Sequence, residues 1–204
     1  MVTPNTSASG GVLLPSTAPS PLEGEALLVF LQNWIAPLSG LAGEMVRPRW
    51  QPEPANIPAA GDAWMAFGLV PDRTADTFPY LSESSDGLST RLQRQEEMPV
   101  LCSFYDLGST GLADSLASLL RDNLAIPQNW EPLLDGGFAL AYVGEMRPAP
   151  TLRATRWLYR MDFSFVLRRQ IDRVYSVESL LSAHGTVRTD GGLPPIPIDV
   201  EPTQ

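Results

Sequence analysis

The side chains that could do chemistry are few. The chain has one histidine, His184, and one cysteine, Cys102. A hydrolytic triad or a zinc site needs its histidine in a well-supported interior position, usually beside further ligands. His184 stands next to Gly185 in a glycine- and proline-rich end, where a plain surface residue is the simpler reading. Cys102 lies in the apolar run Val100-Leu101-Cys102-Ser103-Phe104-Tyr105. It reads there as inert packing, because a reactive thiolate needs a positive neighbour to lower its pKa. Glu96 and Glu97 are adjacent, so on a strand they point to opposite faces and cannot share an acid–base task. Asp135-Gly136-Gly137 and Gly191-Gly192 are turns, without the spacing of a phosphate loop ahead of a helix. No single one of these absences is decisive, but they act together. They predict a protein that is not an enzyme, with no catalytic residues, no cofactor and no metal site.

Arginine is the other chemically distinctive residue. All 14 basic residues are arginine, yet the net charge is −9. An acidic chain is a poor candidate for gripping nucleic acid, although DNA could still pass it. Three arginines, Arg156, Arg160 and Arg168, fall on one parity of the segment from Thr155 to Arg168. The other parity reads Trp157, Tyr159, Met161, Phe163, Phe165 and Leu167. Side chains alternate faces along a strand, so this is a long β-strand with one apolar and one arginine-rich face. The arginine face fits a solvated surface, a subunit contact or a nucleic-acid contact, and the acidic balance weighs against the last. Arginine forks suit carboxylates at interfaces. Arg156, Arg160 and Arg168, with Arg91 and Arg94 on an earlier charged strand, are therefore the candidate subunit-interface residues.

The remaining elements must support that strand. Ser20-Pro21-Leu22-Glu23 resembles a capping box, and Leu27, Phe30, Leu31, Trp34 and Leu38 follow at helical spacing. Pro37 and Ser39-Gly40 close this helix. Residues 41–61 read as an extended loop. The run Ala63 to Val70 is apolar on both parities, as in an interior strand covered on both faces. Residues 71–87 are a long loop or hairpin tip. Ser89 to Tyr105 is strand, with a charged half expected to project, an apolar half expected to be buried, and Pro99 marking a bulge or an edge. Ser109 or Thr110 can cap a second helix whose stripe is Leu112, Leu116, Leu119 and Leu120, with Arg121 in the last turn and Pro127 as its stop. A short extra turn is expected over residues 128–134. Phe138 to Met146 is a further strand, broken by Pro148 and Pro150. Beyond Arg169 the chain continues as a strand or a short helix and ends in an extended tail.

The fold class this order predicts is α+β, a mostly antiparallel β-sheet with long strands and two main helices packed on it, with extended arms at both ends. The predicted domains are a flexible arm over residues 1–19, the α+β body over 20–170, and a C-terminal extension over 171–204. The hydrophobic fraction of 44% suffices for a core. No disulfide within the chain is possible, no apolar run approaches the length of a membrane span, and the start lacks the features of a signal peptide. A soluble protein is expected.

The segment Arg94-Gln95-Glu96-Glu97-Met98-Pro99-Val100-Leu101-Cys102-Ser103-Phe104-Tyr105-Asp106, followed by a leucine-rich helix ending Leu119-Leu120-Arg121-Asp122, resembles the neck or tail terminator proteins of tailed bacteriophages. That family also opens with a helix like Ala26 to Ala36 and closes with an aromatic strand like Trp157 to Phe165. Asp106 stands where many members have glycine. The likeness covers roughly residues 22 to 170. It implies a structural virion protein of the tail and neck, assembled in the host cytoplasm as a homo-hexameric ring that caps the head-proximal end of the tail tube. The implied partners are the tail-tube protein and the head–tail connector, with the sheath as a further candidate. DNA would pass through the channel without specific binding. Another head–tail joining protein, a tail-tube subunit and a small-ligand-binding module are the alternatives.

Overall fold

The structure is a computed structural model and describes residues 11–16, 21–50, 62–70, 74–75, 78–85, 87–106, 111–153, 155–177, 183–187 and 196–200. The chain divides into two compact units. The larger comprises residues 20–77 and 95–171, the smaller residues 1–19, 78–94 and 172–204.

The larger unit is an α+β assembly. Its helices are α1 (Gly24–Ser39), α2 (Leu112–Leu124) and the short α3 (Glu131–Asp135). Its sheet runs in the order β1 (Val46–Pro48), β2 (Trp64–Leu69), β5 (Thr90–Asp106), β9 (Arg156–Tyr175), β6 (Phe138–Val143). The first pair, β1 with β2, is parallel, whereas β2 with β5 and β6 with β9 are antiparallel. Three short strands flank the long ones: β3 (Thr74–Ala75) on β5, and β7 (Arg147–Pro148) and β8 (Thr151–Arg153) on β9. The last 20-residue strand, β9, is thus the one on which β5, β6, β7 and β8 all pair.

The core follows from strand parity. Met65 and Phe67 of β2, Val100, Cys102 and Phe104 of β5, and Phe163, Phe165 and Leu167 of β9 form one buried cluster with Leu27, Leu31, Trp34 and Ile35 of α1. The Trp34 ring meets Phe165 edge-on at 5.7 Å, a preferred aromatic geometry. Ala113, Ala117, Leu120 and Leu124 bring α2 onto the same cluster.

Several expectations need correction. α1 starts at Gly24, with Glu23 at the N-cap and no side-chain cap; Ser20 lies outside the described residues. Gly24, the first residue of α1, has φ +58°, outside the right-handed helical region, so regular helix does not extend back to Pro21. At its other end α1 runs through Pro37 and stops at Ser39 before Gly40. The loop expected over 41–61 contains a 3-10 turn, Gly43–Met45, and edge strand β1; residues 51–61 lie outside the described set.

On α2 the buried stripe is Ala113, Ala117, Leu120 and Leu124, while Leu112 and Leu119 are exposed and Leu116 is half-buried. Small alanines let the helix approach closely, and the bulkier leucines are displaced to its flanks. Its N-cap position is Gly111; Ser109 and Thr110 lie outside the described residues. The short turn after Pro127 is present as a 3-10 turn, Pro127–Trp130, leading into α3. In β5 the charged half does not simply project, because Glu96 and Met98 are buried. Pro99 falls between the β2 ladder, which ends at Val100, and the β3 ladder at Glu96 and Glu97; its missing donor is asked for by neither. Pro148 and Pro150 do not end the pairing after β6, because β7 and β8 continue along β9.

The apolar parity of β9 is buried only from Phe163 onward. Trp157 and Tyr159 are exposed, and Leu158 on the other parity is buried. The helical layer packs against β9 from Met161 to Leu167, and no member of its cluster lies ahead of Met161 on this strand.

In the smaller unit, β4 (Tyr80–Glu83) pairs with the first residues of β5, a hairpin closed by Ser84 and Ser89. Of the N-terminal arm, residues 11–16 are described, and Ser16 donates from its backbone N to the Val174 carbonyl at 2.8 Å. The end expected to be a tail contains β10 (Ala183–Val187) and β11 (Ile196–Val200), paired antiparallel with His184 opposite Asp199.

Candidate subunit-contact surfaces

The face of the sheet turned away from the helices carries a polar network. Arg160 of β9 donates to both carboxylate oxygens of Asp162, two positions along, at 2.7 and 2.6 Å. This bond raises the Arg160 pKa further above its ordinary value, against the opposing effect of partial burial, so the guanidinium stays charged. Ser103 of β5 donates its hydroxyl to Asp162 and accepts from Arg49, which follows β1. Arg49 also reaches the Tyr105 hydroxyl at 3.4 Å. Tyr105 in turn stacks on Trp64 of β2, ring centroids 4.1 Å apart, and its ring lies 5.7 Å from the Arg160 guanidinium carbon.

Small residues floor this face. A Cβ at Gly68 would stand 2.7 Å from the Trp50 ring and 2.9 Å from the Arg49 side chain. Glycine is therefore what lets the chain after β1 fold down over β2. Beside the network an open groove of about 720 Å³ is bordered by Tyr142, Arg147, Asp162 and Ser164. Two buried donors, Arg49 Nε and Trp64 Nε1, have no hydrogen-bond partner, although such groups are normally satisfied.

Of the five arginines singled out from sequence, three have carboxylates within the chain. Arg160 has Asp162; Arg168 pairs with Glu97 of β5; Arg91 pairs with Asp172 at 2.7 Å. Arg94 is half-buried and forms no ion pair among the described residues. The Arg156 side chain lies outside what is described, and its backbone stands opposite Arg153 at the end of the β8–β9 hairpin. Within the larger unit, Arg160 and Arg168 answer different carboxylates, Asp162 and Glu97.

Sequence reasoning missed Arg169. It is buried, donates to Glu96 at 2.7 Å and to the Leu22 carbonyl at 2.7 Å, and has Glu23 at 3.5 Å. The signal was available: Arg169 continues the parity of Phe163, Phe165 and Leu167, and Glu96 shares that of Met98 and Val100. Two opposite charges on core parities of two long strands imply each other.

Cys102 is fully buried, and burial pushes its thiol far above the ordinary range, against the lowering effect of Arg49. Among the described residues no group of three or more His, Cys, Asp or Glu side chains could hold a metal, and no helix is long and apolar enough to cross a membrane.

Leu152 of β8 and Trp157 of β9 are register partners, 59% and 63% exposed, with Tyr159 beyond them. In the smaller unit, Phe78, Tyr80, Leu81 and Leu88 are exposed around the β4–β5 hairpin. Contiguous exposed apolar residues of this size mark interaction sites.

The family model described as phage neck terminator protein matches residues 25–191. The chain belongs to that family. A comparison with curated proteins returns no match. The resemblance read from residues 94–106, the helix that follows them, the opening helix and the long aromatic strand is confirmed by this span, which takes in all but the first residue of α1, the whole sheet and both long strands. The family is a structural one that joins head to tail, and it places the chain in the virion neck as a contact-making part with other head and tail proteins.

Proposed function

We propose that copies of this chain close into a ring, in the manner of a hexamer, that caps the head-proximal end of the tail tube and presents its other side to the head connector. The observation that carries this reading is the separation of two kinds of surface. The arginines of β9 are largely answered inside the chain, while apolar residues at the ends of the long strands are left exposed. A protein that assembles by burying surface would look like this. The surplus of carboxylates, net −9, suits a channel wall that DNA passes without sticking. Arg91, Arg94, Arg156 and Arg168 then serve at the margins of subunit contacts, where rim charges set register more than affinity. Assembly would take place in the host cytoplasm, with the tube protein, the connector and, as a further candidate, the sheath as neighbours.

Removing the gene from its phage tests the reading. The expected products are filled heads without tails and separate tubes whose lengths are no longer uniform. Heads and tails that still join, at normal tube length, would refute it.

A further inference from the structure

The two sides of the larger unit carry opposite surpluses, and the sheet stands between them. On the side turned away from the helices, Arg160 has Asp162, and Arg147 has Glu145 at 3.9 Å. Arg49 has no such answer. It bonds only the hydroxyls of Ser103 and Tyr105, forms no ion pair among the described residues, and keeps its buried Nε without an acceptor. The buried Trp64 Nε1 lacks an acceptor too, so this site has donors to spare. Next to Arg49 stands Trp50, 68% exposed, with φ +54°. That left-handed backbone is an outlier for a bulky residue, and such outliers cluster at functional positions. The Trp50 ring rests against Gly68, and the Arg49 guanidinium carbon lies 6.0 Å from its centroid. The side therefore presents a fixed aromatic beside an unanswered cation. Trp and Arg are the residue types that most often anchor interfaces.

The helical side has the reverse surplus. The helices and the turns beside them expose Glu25, Glu44, Asp114, Asp122, Glu131 and Asp135, none with an ion pair among the described residues, against Arg121 alone. Between α1 and the turn leading into α3 lies an apolar groove of about 410 Å³. Phe30, Trp34, Leu38 and Pro132 line it, and the exposed Glu131 borders it. That volume admits an indole ring. Trp50 lies on the face of β2 opposite the core and the groove lies on the helices, so one chain cannot bring them together.

We infer that Trp50 of one copy docks in the α1–α3 groove of a second copy, with Arg49 directed at Glu131. A second copy supplies both things this site lacks: carboxylates for the cation and a walled apolar groove for the exposed ring. Such a contact uses two different patches, so it repeats head to tail and closes a ring when the rotation per copy allows. The inference deepens the ring reading and rests on it for closure.

Charge reversal, read by sedimentation of the full chain, tests it. The wild type should sediment as an oligomer. Glu131→Arg and Trp50→Ala, both at exposed positions, should each weaken association at least about tenfold without lowering the thermal unfolding temperature. Arg49→Glu should weaken it as much, and an equimolar mixture of Arg49→Glu with Glu131→Arg should restore assembly. In that mixture, position 49 of each variant meets the opposite charge at position 131 of the other, which neither finds alone. Should Arg49→Glu fail to fold, Glu131→Arg and Trp50→Ala decide the matter. An oligomer that Glu131→Arg or Trp50→Ala leaves intact, or two folded reversals that do not recover on mixing, overturns the docking and leaves self-assembly standing. A wild type that stays monomeric at high concentration overturns both the docking and closure by the chain alone.

Discussion

The Arg169 guanidinium of β9 lies 2.7 Å from the Glu96 carboxylate of β5, and both side chains are buried. The same guanidinium also holds the Leu22 carbonyl at the entry to α1. One cation therefore ties the two long strands to the start of the helix that covers them.

Breaking this pair from one side leaves a buried charge unanswered. Arg169→Met should destabilise the fold by about 3–5 kcal/mol, and Glu96→Met by a similar amount. The double variant should recover most of that loss, short of the Leu22 bond. Urea denaturation of the three variants checks the pattern; equal, additive losses would contradict it.

The exposed pairs behave differently. Arg168 with Glu97 and Arg91 with Asp172 are partly open to solvent, so Arg168→Ala or Arg91→Ala should cost less than about 1 kcal/mol. If assembly nevertheless weakens in these variants while thermal unfolding is unchanged, the arginines act between copies. Unchanged assembly would confine them to intramolecular roles.

Much of this arrangement was legible in the residues themselves. The period of two in residues 155–168 identified β9, the double-parity run at 63–70 identified an interior strand, and the 3.6-residue period of Leu27, Leu31 and Trp34 identified the covering helix. What escaped has a physical cause. Periodicity says that a face is apolar, not where its cover stops, so the exposure of Trp157 and Tyr159 was invisible. Leucine outranks alanine in hydrophobicity, yet close packing selected Ala113 and Ala117 for the α2 interface. The short β1 and β7 strands hold their places through ladder bonds to longer neighbours and have no pattern of their own. The surface that meets a neighbour is the least legible, because its complement is on another molecule.

Cys102 should resist thiol reagents in the folded protein and react only on unfolding, since burial holds it protonated. Its raised folded-state pKa contributes stability that is fully present below the unfolded thiol value, about 8.5, and is lost as pH rises above it, at about 1.4 kcal/mol per pH unit. Cys102→Ala should flatten that slope between pH 9 and 10. Rapid labelling under native conditions would show an open core.

Gly68→Val should destabilise by about 1–3 kcal/mol, because its side chain meets the Trp50 ring and the Arg49 stem. Adding Trp50→Ala should recover part of the loss. A neutral Gly68→Val by thermal denaturation would show that the segment after β1 does not lie over β2.

Tail tubes from particles that lack this chain, incubated with the purified protein and imaged by cryo-electron microscopy, test the central claim most directly. The expected image is a closed ring of copies at one end of each tube. Protein scattered along the tube wall, or tubes left bare at both ends, would contradict it.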